Sequence, residues 1–247
     1  MNDKLKKCIK NNNDLYQAIF ESDHIKFHIK DDIAYTEQQV PPLYSNLVTR
    51  SKEWAPDDIF TNIDRHYEGE NWSEWSIKDS FSVLDLAVYD FQKLFDAQWI
   101  YLQTTDFQPL EADDVRYENI KTERELSDWR IAWDSDVALG EKIFKRQLLN
   151  NPHLDFIAGY EKARLVSGCL VNKTDDLLGI SNFFAPRQSI SYWSNIVTFI
   201  LKTIGNKDII GYEREPSVGA LKILGFESLG SLTVWIKRNR QKQTKRI

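Results

Sequence analysis

Ala220-Leu221-Lys222-Ile223-Leu224-Gly225-Phe226, followed by Leu229-Gly230 and Trp235-Ile236-Lys237, is the stretch on which the fold reading turns. It reads as an apolar helix from Val218 to Leu224, a turn, a connecting strand, and a Trp-bearing terminal strand over Leu232 to Ile236. A related stretch occurs earlier. Val88-Tyr89-Asp90-Phe91-Gln92-Lys93-Leu94-Phe95 aligns with Ile223-Leu224-Gly225-Phe226-Glu227-Ser228-Leu229-Gly230, and one inserted residue sets Trp99-Ile100 against Trp235-Ile236. Recurrence of such a unit points to a duplicated domain.

Working outward, a polar, acidic, proline-containing run, Thr104 to Asp114, has the composition of a linker and divides the chain into 1–110 and 116–240. Beyond it the patterning predicts a strand over Tyr117 to Ile120 and helices over Glu123 to Trp133 and Val137 to Leu149, the last stopped by Asn150-Asn151-Pro152. Three strands, Leu154 to Tyr160, Arg164 to Val171 and Leu177 to Ala185, form an antiparallel meander. A helix from Ser191 to Thr203 follows, burying Ile196, Val197, Phe199 and Ile200, and then a strand from Asp208 to Tyr212. In the first 110 residues Leu15, Ile19 and Phe20 suit an amphipathic helix, Ile25 to Ile29 alternates like a strand, and an apolar run from Leu43 to Val48 resumes after Pro41-Pro42.

Composition bounds the function. Apolar residues make up 42% of the chain and 8 are Trp, enough for real cores and incompatible with disorder. The net charge of -5 argues against a nucleic-acid partner, and the basic run Lys237 to Arg246 reads as a solvated tail. Cys8 and Cys169 match no metal or redox spacing, and His24, His28, His66 and His153 are scattered, so no metal is implied. No window is apolar enough for a membrane span or a signal peptide, which makes the cytoplasm the default location.

The order strand, helix, helix, three antiparallel strands, helix, strand, helix, strand, closing on Leu224-Gly225-Phe226, resembles the GNAT (GCN5-related) N-acetyltransferases over Arg116 to Lys237. The resemblance implies an α/β (α+β) acyl-CoA N-acyltransferase fold, duplicated here. It also implies acetyl-CoA as cosubstrate and a small-molecule or amino-group acceptor. In that fold two neighbouring parallel strands splay to admit the pantetheine arm, and the next helix offers its N-terminus to the pyrophosphate. The matching positions are Phe183, Phe184 and Ala185 at the end of one strand, then Arg187, Gln188, Ser189, Ile190, Ser191 and Tyr192 in the loop and helix start. Free amides, the helix dipole and the Arg187 charge suit an anion there.

Two positions depart from the family. Ile190 and Tyr192, or Ser191 and Trp193, stand where the loop glycines belong, and Leu221 stands where many members place a tyrosine acid. The groups left for proton transfer are Glu213 as base, with Tyr212 or Tyr192 beside the cleft. A silent binding module with this fold is the alternative. In the first half Asp90 replaces the glycine, so that copy is expected to shape the substrate site, with Tyr44, Trp72, Trp75 and Trp99 as walls or plain core.

Overall fold

The structure is a computed structural model that describes residues 3–53, 74–111, 114–186 and 189–238. Its first half carries helix α1 (Asp3–Ser22) and strands β1 (His28–Ile29), β2 (Ile33–Tyr35), β3 (Leu47–Thr49), β4 (Glu74–Asp79) and β5 (Gln92–Leu102). The second half has β6 (Arg116–Asn119), α2 (Glu123–Trp133), α3 (Val137–Ile143), β7 (Leu154–Glu161), β8 (Arg164–Thr174) and β9 (Leu177–Phe184). It continues with α4 (Ile190–Thr203), β10 (Asp208–Glu213), α5 (Ser217–Leu221) and β11 (Glu227–Arg238).

These strands form one mixed sheet, ordered β1-β2-β3-β4-β11-β5-β10-β9-β8-β7-β6. Each half lends its last strand to the other: β5 pairs with β10, and β11 pairs with β4, while β5 and β11 lie side by side at the centre. Read outward from that centre, both directions meet one parallel pair, β10/β9 or β4/β3, and then antiparallel strands. Trp99-Ile100-Tyr101 is extended, within β5.

The two aligned segments share one local geometry. A single 3₁₀ turn, Ala87–Tyr89 or Lys222–Leu224, ends on a left-handed residue, Asp90 at φ 64° or Gly225 at φ 97°, and a buried phenylalanine and long strand follow. Gly225 is obligatory because a Cβ there would lie 2.2 Å from the Asp106 carbonyl oxygen. Asp90 manages the same φ with a short polar side chain.

Helix α2 starts where its capping box dictates, with Thr122 and Glu125 exchanging side-chain and backbone hydrogen bonds. The helix expected over Val137 to Leu149 stops at Ile143 and gives way to a 3₁₀ turn, Arg146–Asn150. The cause is Arg130. Its buried guanidinium donates Nε and Nη2 to the Phe144 carbonyl, taking that acceptor away from the helix ladder, and Nη1 reaches Glu123. The helix expected over Val218 to Leu224 is α5 plus the 3₁₀ turn Lys222–Leu224. The strand expected over Leu232 to Ile236 lengthens to 12 residues because β4 and β5 bond it from both sides.

The linker-like run is a strap laid on the second half: the Gln108 amide donates to the Leu224 carbonyl and the Leu110 amide to Ser194 Oγ. Helix α1 likewise crosses between halves. Its Leu15, Tyr16, Ile19 and Phe20 join the core built with Trp129, Phe144 and Phe156, while Leu5, Cys8 and Ile9 join Trp99, Tyr101 and Ile210. Helix α4 covers another core with Trp193, Ile196, Val197 and Ile200 against Ile100, Leu102 and Ile209.

Candidate functional site

Parallel strands β9 and β10 are paired only through Leu177↔Asp208, Leu178↔Ile209 and Gly179↔Ile210. Past that point β9 runs on to Phe184 and β10 to Glu213 without pairing to each other. Two residues produce the parting. Asn182, at φ 53°, falls in a register shift between β8 and β9, a bulge that bends β9. Gly211 sits at the fork, where a Cβ would lie 2.8 Å from the Ile180 carbonyl oxygen. The parallel pair of the first half is held shut instead, since the Ser80 amide donates to Thr49 Oγ1 (2.8 Å) and Ser80 Oγ to the Thr49 carbonyl (2.6 Å).

The fork opens into a cavity of about 530 Å³ bounded by α1, the 42–45 loop, β4, and the ends of β9 and β10. Its polar lining includes Asn12, Tyr16, Tyr44, Lys78, Asn182, Tyr212 and Glu213. Lys78 Nζ donates to Asn12 Oδ1 at 2.9 Å and lies 4.8 Å from the Tyr16 ring centre and 4.3 Å from that of Tyr212. Burial works against the Lys78 ammonium, but the two tyrosines outweigh it and leave its pKa above the ordinary lysine value. For Tyr212 the nearby ammonium pulls the pKa down, and burial together with Tyr16 still leaves it raised. Burial also holds the Tyr44 phenol well above the usual tyrosine range.

Glu213, half-buried at the end of β10, has its carboxyl pushed up to about 7 by burial, opposed weakly by the Arg214 amide. It is therefore poised to exchange a proton near neutrality. Tyr212, next to it, packs edge-on against Trp99 with centroids 5.7 Å apart.

The other residues singled out from the sequence distribute as follows. Phe183 lines the cavity and stacks on Trp193 at 4.0 Å, whereas Phe184 turns to the opposite face against Trp129 at 5.2 Å. Ala185 lies one residue past the end of β9, outside the strand, and Arg187 and Gln188 lie outside the described residues, as does Trp72. Ser189 occupies the N-cap of α4 without capping it through its side chain; its hydroxyl meets that of Ser191 at 2.9 Å. Ile190 packs partly into the α4 core, and the Tyr192 hydroxyl donates to Glu161, away from the cavity lining. Leu221 is fully buried in the same core and is not part of the cavity lining. Trp75 is core at 3% exposure, and Tyr44 is a cavity wall.

Lys78, Asn12 and Tyr16 escaped sequence reasoning. Their signals were a lysine directly after the Trp75-Ser76-Ile77 alternation of a short strand and an Asn11-Asn12-Asn13 run in the middle of an amphipathic helix, all three asparagines buried. Among the described residues no cluster of His, Cys, Asp and Glu could hold a metal ion, and no helix is long and apolar enough to cross a membrane.

Solved structures share this architecture. A GCN5-related N-acetyltransferase from Kribbella flavida superimposes with a TM-score of 0.67 at 9% identity, covering 96% of this chain and 98% of its own. A functionally unknown conserved protein from Staphylococcus epidermidis gives 0.68 at 13% identity, with 89% and 97% covered. The chain has the GNAT fold. A tandem GNAT protein from the clavulanic acid biosynthesis pathway matches at 0.54 and 8% identity, over 78% of this chain and 73% of that one. No protein-family profile and no curated protein matches the sequence. The forked β9/β10 pair is thus set within a GNAT-fold sheet whose terminal strands are exchanged between halves.

Proposed function

We propose that this protein is an acetyl-CoA-dependent N-acetyltransferase whose working site is the β9/β10 fork, the first half being a degenerate copy of the second that walls the acceptor cavity. The observation carrying this reading is a fork that opens onto a 530 Å³ cavity with Glu213 on its rim. Duplication is supported by the matching turns at Asp90 and Gly225 and by the mirrored strand order. Loss of function in the first copy is supported by the Thr49–Ser80 bonds that keep its strands together.

The residues present fit the cosubstrate. Unpaired backbone on β9 beyond Gly179 can bond an extended amide-bearing arm, and the α4 N-terminus, left uncapped by Ser189, with Arg187 before it, suits a pyrophosphate. When bound, the thioester supplies an activated acetyl group. Glu213 accepts the proton of the acceptor amine, its raised pKa matching that role. Tyr212 offers its hydroxyl to the leaving sulfur, and a thiolate, whose conjugate thiol has a pKa of about 8.5, leaves without full protonation.

One observation favours a second reading, a silent binding module: Leu221 is sealed in the core, so the fold lacks the acid that many relatives use. Calorimetric titration with acetyl-CoA and thiol-release assays over an amine panel separate the two. Binding with turnover supports the enzyme, with turnover falling by roughly 10²-fold in Glu213→Gln while cofactor affinity holds. Binding without turnover supports the module, and no binding removes both.

A further inference from the structure

Lys78 is 1% exposed, yet its side chain lines the cavity. Among the described residues no carboxylate lies within ion-pair distance of it, and Asn12 Oδ1 with the rings of Tyr16 and Tyr212 form its surroundings. The neighbouring Asp79 is committed elsewhere, accepting from the amides of Phe81, Val83 and Leu84. Asn12 and the two tyrosines hold the ammonium, but none of them carries a formal charge while the phenols stay protonated, so an entering carboxylate would be the first full counter-charge that Lys78 meets. Such a cation is retained where something anionic comes to meet it. Lys78, beside the Tyr212 ring, and Glu213, at the end of β10, both line this cavity, so it offers a cation and a carboxylate to one occupant.

We propose that the acceptor is a small amino-carboxylate, its carboxylate paired with Lys78 and its amine held by Glu213. The proposal rests on the reading of this cavity as the acceptor site. The lining carries Lys78, Arg214 and Arg238 together with Glu74 and Glu213, a mixture of signs that suits a zwitterion better than a phosphate dianion. The cavity volume suits a free amino acid better than a protein tail, which needs an open groove.

The test measures binding, so it does not depend on turnover. Glycine, L-leucine, L-phenylalanine and L-lysine, each beside its C-terminal amide, are titrated by calorimetry into the full-length protein with coenzyme A present, in wild type, Lys78→Met and Lys78→Arg. At least one acid should bind wild type about 10- to 100-fold tighter than its amide, the scale of one charge-assisted pair. Lys78→Met should abolish that preference while leaving the amide's affinity unchanged, and Lys78→Arg should retain part of it. Equal binding of acid and amide, binding of neither, or a preference that survives Lys78→Met overturns the proposal. If circular dichroism shows Lys78→Met unfolded, the wild-type preference and the arginine variant decide. A carboxylate preference without acetyl-CoA binding would sink the transferase reading and leave the anion site standing.

Discussion

Glu213→Gln should make the protein more stable at alkaline pH while it disables transfer. Burial raises the Glu213 carboxyl from 4.5 to about 7, so the folded state binds this proton more tightly than the unfolded chain does. Between those two values the folded state holds more protons than the unfolded one, and stability falls as pH rises; below 4.5 the term vanishes and above about 7 the loss is complete. A displacement of that size corresponds to about 3 kcal/mol as an upper bound, reduced to roughly 1.5–3 kcal/mol because the residue is only half-buried. Glutamine keeps the shape and carries no charge to desolvate. By differential scanning calorimetry the variant should melt roughly 4–8 °C above wild type at about pH 8.5, and the two should converge near pH 5. Parallel melting curves across that range would show that Glu213 is solvated like any surface carboxylate, and the case for it as a base poised near neutrality would fall with it.

Arg187→Ala should weaken acetyl-CoA binding by about 1.5–3 kcal/mol in a calorimetric titration, the scale of a charge-assisted contact to phosphate; unchanged affinity would remove Arg187 from the site. Gly225→Ala should cost about 2–4 kcal/mol in urea unfolding, since its Cβ would strike the Asp106 carbonyl, whereas Asp90→Gly at the matching turn should be neutral or slightly stabilising. Equal effects at the two positions would contradict their shared left-handed geometry. Arg130→Met should cost about 2–3 kcal/mol by strand-and-helix melting, because the Phe144 carbonyl loses its donors inside the core; a change below about 1 kcal/mol would mean that water or the helix ladder replaces them.

How far the molecule was legible from its residues depended on the range of the interaction concerned. The order of elements in the second half, the start of α2 at its Thr122–Glu125 box, the meander β7–β9 and the turn at Gly225 follow from periodicity, capping and φ preference, all of which act within a few residues. The end of α3 did not, because the guanidinium that takes the Phe144 carbonyl comes from another helix. Partner choice was equally invisible. Alternation in β5 and β11 says that each has a buried face, but several edges could satisfy that pattern, and only the assembled sheet sets β5 against β10 and β11 against β4. The candidate site divides along the same line. Tyr212 and Glu213 could be placed beside a cleft because the first ends a predicted strand and the second follows it. Lys78, Asn12 and Tyr16 come from segments that no local rule connects to it, and the raised Glu213 pKa arises from burial in the assembled fold. Desolvation is a property of everything that surrounds a group, and it exists only once the chain has closed around it.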